Sequence, residues 1–325
     1  MRIGRSLRLL AGALTVALAA GCGGARVETG QATTPTSTPE PTSTGAVVRI
    51  AVNPWAGYEA SAAVLSHLLE KKLGYTVERK NLAEQVSWEG FEKGDVDVIV
   101  ENWGHEDLKK TFIQDRKVAV EAGSTGNKGV IGWYIPGWMA KEYPGITDYR
   151  NLNKYADLFR TSESGGKGQL LFGDPSYVSN EESLIRNLGL NLKVVVAGSE
   201  AALIESATQA QRQRKPLLFY FWTPHWLFDR IDLARITLPP HAEGCDADPK
   251  KVACDYAELD LDKIVSRRFA ETGGRAYELV KNFSWTNEAQ NAVANDITTN
   301  GMTPEAAAEK WIEANESVWS AWMPQ

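Results

Sequence analysis

Residues 216–228 read PLLFYFWTPHWLF. The first seven suit a buried strand, because aromatic and branched side chains fit a pleated, half-buried surface. That strand ends at Trp222, and Thr223, Pro224, His225 and Trp226 follow in a turn. Counting His225, seven of the ten residues from Phe219 to Phe228 carry a ring, more than strand packing requires.

Outward from this stretch the chain alternates strand and helix. Upstream lie GQLLFGDPSY (168–177), a strand leaving a glycine-rich loop, and SNEESLIRNLG (179–189), a helix with Ser179 and Glu182 as a capping box and Gly189 as its stop. LKVVVAG (192–198) is a strand and EAALIESATQAQRQRK (200–215) a helix. The first half repeats the theme. VVRIAVN (47–53) reads as a strand, YEASAAVLSHLLEKKLG (58–74) as an amphipathic helix, YTVERK (75–80) as a strand and AEQVSWEGFEKG (83–94) as a helix closed by Gly94. DVDVIVENW (95–103) is an apolar strand, and GVIGWYIP (129–136) a strand and crossing point. The C-terminal third reads as mostly helical, with Thr303-Pro304-Glu305 opening a helix. Such alternation means an α/β protein with a mainly parallel sheet.

In open α/β sheets the ligand sits outside the C-terminal ends of the strands. Four aromatics occupy that place: Trp55 after VVRIAVNP, Trp103 after DVDVIVEN, Tyr177 after QLLFGDPS and Trp222 after PLLFYF. One such ring is ordinarily core packing; four at equivalent places point to a ligand. Trp133, Trp138, Trp285, Trp311, Trp319 and Trp322 fall on other kinds of segment and read as structural.

The N-terminus supplies an address. Arg2, Arg5 and Arg8 precede an uncharged run too short to span a bilayer, so residues 1–21 read as a signal peptide. Ala19-Ala20-Gly21-Cys22 resembles a lipobox, which makes Cys22 the expected lipidated residue. Residues 22–45 are rich in Thr, Ser, Pro and Gly, and read as a disordered tether that would reach about 75 Å fully stretched. The remaining cysteines, Cys245 and Cys254, sit in a loop-like stretch, HAEGCDADPKKVACDY. An exported chain can pair them, and closing so short a loop contributes about 2–3 kcal/mol. Their spacing is not that of a zinc pair.

Several classes are excluded. The formal net charge is −6 with no basic cluster past the signal peptide, which argues against nucleic acid. His105-Glu106-Asp107-Leu108-Lys109 lacks the second histidine of a zincin, and SGGKGQ (164–169) lacks the ending of a P-loop. There is no GxSxG elbow, and no cofactor or metal is expected. Aromatic faces without a surplus of donors suit a quaternary ammonium, which is positive but has no N–H; ring quadrupoles attract it and ring faces accommodate its methyls.

At this point VNPWAGYEA, VDVIVENW, DPSYVSN and FYFWTPHW resemble motifs of the glycine betaine/choline substrate-binding proteins of ABC importers, over most of residues 46–322. The resemblance implies a two-lobed clamshell of the type II periplasmic-binding-protein class, with mainly parallel sheets and two crossing strands. Residues 46–130 plus 256–325 would form one lobe and 131–255 the other. It implies a non-enzymatic, monomeric binder, held on the outer face of the membrane by its lipid, that delivers solute to an ABC permease with its ATPase. Trp55, Trp103, Tyr177 and Trp222 would be the cage. A ligand carboxylate would meet backbone amides at Gly57 and Tyr58 or at Val178 and Ser179, with His225 a further donor. Choline-binding members follow the tryptophan equivalent to Trp55 with an aspartate; here Ala56-Gly57 follow, so the expectation is glycine betaine or a close relative, ahead of choline or carnitine. A sensor ectodomain or enzyme on the same lobes is the alternative from a different class.

Overall fold

The computed structural model describes residues 46–325. The expected signal peptide, Cys22 and tether lie outside the described residues. A nine-stranded sheet runs through the molecule: β1 (Val47–Val52), β2 (Thr76–Asn81), β3 (Val98–Asn102), β4 (Ala119–Pro136), β5 (Gly168–Phe172), β6 (Leu192–Val196), β7 (Phe219–Thr223), β8 (Leu233–Arg235) and β9 (Glu258–Ser266). Its order is β2-β1-β3-β9-β4-β7-β5-β6, with β8 paired to β4.

The sheet is mixed. β2, β1 and β3 pair in parallel on one flank, and β6, β5 and β7 do so on the other. Between the flanks, β9 pairs antiparallel with β3 and β4, and β4 antiparallel with β7. β4 is 18 residues long, so it touches β9 over its first part and β7 over its last. These two strands are the crossing elements. β9 departs from the expected mostly helical C-terminal third, although helices Arg267–Thr272, Gly274–Asn282, Asn287–Thr298 and Pro304–Ala314 fill the rest. Its leucines alternate with acids, but Lys263, fully buried in mid-strand, interrupts the apolar pattern.

Local rules account for the helix ends. Helix Glu84–Lys93 stops at Gly94, which has φ +74 and donates to the carbonyls of Gly90 and Phe91. The Ser199 hydroxyl accepts from the Ala202 amide at the start of helix Glu200–Gln213, and Thr303 does the same for Ala306 ahead of Pro304. The expected capping box at Ser179 does not form. The helix there begins at Glu181, whose buried carboxylate accepts from the Ser179 and Tyr256 hydroxyls and so draws Ser179 off the cap.

A large core gathers both faces of β1, β3 and the helices Ala56–Lys71, Asn287–Thr298 and Pro304–Ala314, and reaches Phe219, Phe221 and Trp222. A second cluster, including Trp133, Ile135, Leu170, Leu192, Leu218 and Ile236, is drawn from residues 133–254. The disulfide Cys245–Cys254 lies beside it, as the cysteine count predicts.

Candidate functional site: an aromatic cavity at the strand ends

The C-terminal ends of β1, β3, β5 and β7 converge on one cavity, lined by Trp55, Glu84, Trp103, Ile131, Tyr177, Val178, Tyr220 and Trp222. On a measure where one water needs about 10–15 Å³, it offers about 40 Å³. That is room for three or four water-sized groups, the scale of a nitrogen with three methyls.

Each wall has a local cause. Trp55 sits in extended backbone at the N-cap of helix Ala56–Lys71, just past β1. Its indole N–H donates to Oε1 of Glu101 at 2.9 Å, and the Trp103 indole donates to the same oxygen at 2.9 Å. Glu101 lies under both rings, and its other oxygen accepts from Ser61 and Gln290. Burial pushes the Glu101 carboxyl above the usual range, although its four donors oppose the shift. On β7, residues two apart share a face, so Tyr220 and Trp222 both line the cavity while Phe219 and Phe221 are fully buried. Ile131 is the cross-strand partner of Trp222, and register alone brings it into the wall. Trp226 and Phe228 stay out of the lining; Trp226 packs on His225, and Phe228 on Tyr134 and Phe221.

Tyr177 closes the ring of aromatics. Its loop turns on Asp174, which accepts from the Ser176 amide and hydroxyl. The phenol donates to the Pro54 carbonyl at 3.1 Å, tying the loop after β5 to the loop after β1. The ring stands edge-on to Trp55 and Trp222, with centroids 5.9 and 5.6 Å away. Two glycines allow these approaches: a Cβ on Gly173 would fall 2.5 Å from the Tyr177 ring, and one on Gly129 would fall 2.7 Å from Trp103.

Glu84 is the charged residue of the lining, and nothing in the sequence marked it. It opens helix Glu84–Lys93, a favourable place for an acid, and His105 holds one of its oxygens in a short contact. Burial opposes a proton on His105, but the Glu84 hydrogen bond and charge outweigh it and raise the histidine above its usual value.

Of the residues expected to meet a ligand carboxylate, Val178 reaches the cavity, where it is about half exposed. Gly57, Tyr58, Ser179 and His225 do not line it. Gly57 packs against the Gln290 side chain, and the Tyr58 hydroxyl accepts from the Val100 amide in the core. His225 is buried with both ring nitrogens engaged: Nδ1 accepts from the Leu227 amide, and Nε2 meets Oε1 of Glu200 at 3.0 Å. The other oxygen of Glu200 accepts from the Ala56 amide at 2.8 Å. A carboxylate thus already sits at the start of helix Ala56–Lys71, and it belongs to the protein.

Among the described residues, His241, Cys245 and Asp246 cluster as metal ligands would, but the Cys245 sulfur is committed to the disulfide. No helix among them is long and apolar enough to cross a membrane.

Two parallel half-sheets joined by crossing strands, with a caged cavity at their strand ends, define a two-lobed solute-binding protein of the periplasmic type. Comparison with known proteins agrees. Residues 46–314 match the substrate-binding domain of ABC-type glycine betaine transport systems, and the chain belongs to that family. A trimethylamine N-oxide-binding protein of Pelagibacter ubique is 28% identical over 275 residues, covering 82% of this chain and 87% of that one. A glycine betaine/proline betaine-binding periplasmic protein of Salmonella typhimurium is 23% identical, covering 81% and 84%. In fold, lactococcal OpuAC in its closed, glycine betaine-bound form superposes with a TM-score of 0.69 at 23% identity, covering 86% of this chain and all of the other. A choline-binding protein with choline bound gives 0.70 at 20% identity, covering 87% and 93%. The family is one of extracytoplasmic solute binders that serve an ABC permease.

Proposed function

We propose that this protein captures a small solute with a quaternary ammonium head, of the glycine betaine type, between Trp55, Trp103, Tyr177 and Trp222, and hands it to its permease without chemistry. The observation that carries this reading is the cavity itself: aromatic walls on four strand ends, of a size to take a trimethylated nitrogen. Ring quadrupoles supply the attraction, at about 2 kcal/mol for a desolvated contact, where a micromolar site needs about 8 in total. The ligands in the relatives' names share a fully substituted, methyl-bearing nitrogen, which fits the same walls. The lobes of the working molecule are residues 46–130 with 256–325, and 131–255, hinged on β4 and β9. Lipid on Cys22 and the Thr/Pro-rich tether keep it, as a monomer, at the outer membrane face within reach of the permease.

Calorimetric titration of the protein with glycine betaine, proline betaine, carnitine, choline and proline tests the reading. At least one methylated ammonium should bind, and proline should bind most weakly. Trp222→Ala, shown to be folded by circular dichroism, should lose at least tenfold; binding unchanged in that variant would sink the cage.

A further inference from the structure

Glu84 lines the cavity together with Trp55, Trp103, Tyr177 and Trp222, and is only 8% exposed. Its field reaches across that space: burial raises the phenols of Tyr177 and Tyr220, and the Glu84 charge adds to the rise in both. The Oε2 oxygen of Glu84 meets His105 Nε2 in a short contact. His105 comes from the turn after β3, two residues beyond Trp103, so one turn carries both a cage wall and the partner of the charged wall. Its backbone is left-handed at φ +31, a conformation that strains a residue with a side chain and persists where surrounding contacts demand it.

Two further acids face His105: Asp107 from its own turn and Asp262 from β9. Lys109 binds Asp262 at 2.8 Å and Glu106 at 3.6 Å, which offsets both acids. Lys263, next along β9, turns its ammonium away to the carbonyls of Lys281 and Phe283. Burial opposes a proton on His105, and Glu84 draws one there. A protonated His105 balances the Glu84 charge; a neutral one donates its Nε2 proton and leaves that charge to the cavity. A quaternary ammonium has no proton to give up, and a like charge beside it disfavours the imidazolium. Resting on the cage reading above, we infer that Glu84 is the counter-charge for the bound ammonium head and that His105 regulates it: solute and the histidine proton compete, so the solute is held tightly when His105 is neutral and loosely when it is protonated. The pH response then belongs to a pair in the wall, on helix Glu84–Lys93 and the turn after β3, and needs no titration of the ligand.

The test is calorimetric titration of the full chain with glycine betaine and with tetramethylammonium between pH 6 and pH 9, in wild type, Glu84→Gln and His105→Asn. Neither probe titrates in that range. Wild-type affinity should rise about tenfold from pH 6 to pH 9, as one like charge leaves the neighbourhood of the site. At the lower pH values binding should release protons, read as heat that depends on the ionisation enthalpy of the buffer. His105→Asn, which keeps a donor for Glu84 but cannot titrate, should hold the high-pH affinity throughout and release none. Glu84→Gln should bind about tenfold more weakly at pH 9 and show a flattened profile. A flat wild-type profile without proton release overturns the inference and leaves the cage in place, as does a slope that persists in both variants. Should His105→Asn fail to fold, the proton count in wild type against Glu84→Gln decides. No binding of either probe by folded wild type at any pH overturns the cage reading itself.

Discussion

The indole N–H of Trp55 donates to Oε1 of Glu101 across 2.9 Å, joining the end of β1 to the end of β3. The same oxygen receives the indole of Trp103, so one buried carboxylate fixes the orientation of two walls. Aromatic recognition of a cation depends on which way the faces point. Glu101→Ala should therefore weaken the bound ligand about tenfold although no ring is lost. It should also lower the melting temperature, since each stranded buried donor costs about 1–3 kcal/mol. Calorimetry and thermal denaturation on one preparation would check both; wild-type affinity in a destabilised variant would reduce Glu101 to a packing role.

Trp222 and Trp226 divide the work of the aromatic turn. Trp222 lines the cavity, whereas Trp226 packs on His225 outside it. Trp222→Tyr should retain most of the affinity that Trp222→Ala loses, because a face survives. Trp226→Ala should act chiefly on melting temperature, at about 3–5 kcal/mol for a buried tryptophan. A larger loss of binding in the Trp226 variant than in Trp222→Ala would reverse this division.

Two glycines are matched to two rings. Adding one methyl at Gly129 or Gly173 would press on Trp103 or Tyr177 at less than 3 Å. Overpacking of this kind costs about 1–3 kcal/mol, and here cage rings are among the yielding groups, with Leu261 as close to Gly129 as Trp103 and Leu203 next nearest to Gly173 after Tyr177. Gly173→Ala and Gly129→Ala should each reduce affinity several-fold beyond what their loss of stability explains. A control at Gly94, where a Cβ meets nothing within 4 Å, should lower stability through its φ of +74 and leave affinity unchanged.

Lys263 predicts a pH dependence of stability. Its ammonium donates to the carbonyls of Lys281 and Phe283 at the end of helix Gly274–Asn282, and burial lowers its pKa from 10.5 to about 7. Between those values the unfolded chain binds a proton that the folded chain lacks, so stability rises with pH there, by up to about 1.4 kcal/mol per pH unit. Below about pH 7 both states are protonated and the penalty is constant. Denaturant unfolding at pH 7, 8 and 9 should show this slope in wild type, reduced in Lys263→Met. Identical slopes would mean that the lysine keeps its ordinary pKa.

Cys22→Ser should abolish incorporation of labelled lipid and move the protein from the membrane fraction to the soluble one. Ligand affinity should be unaffected, because the caged cavity is built wholly from residues 55–222. A serine variant still sedimenting with membranes would mean that another segment anchors it.

The sequence by itself determined the α/β class, the family motifs, the disulfide and the four aromatic walls. These rest on short-range rules: alternating apolar segments with their stops, and rings at the ends of strands, where a half-wound sheet opens. Tertiary structure decided what stands behind and between the walls. Glu101 is next but one to Trp103, yet only the docking of β1 beside β3 brings Trp55 to the same oxygen. Ile131 enters the wall through its register with Trp222, and Glu84 through the placing of a helix after β2. Glu200 reaches the Ala56 amide across 144 residues of chain and also meets His225, a donor that the sequence had left for a ligand. Such pairings leave no local trace, because a carboxylate's partner depends on how distant segments pack, and a helix start offers its amides to whichever anion the fold delivers.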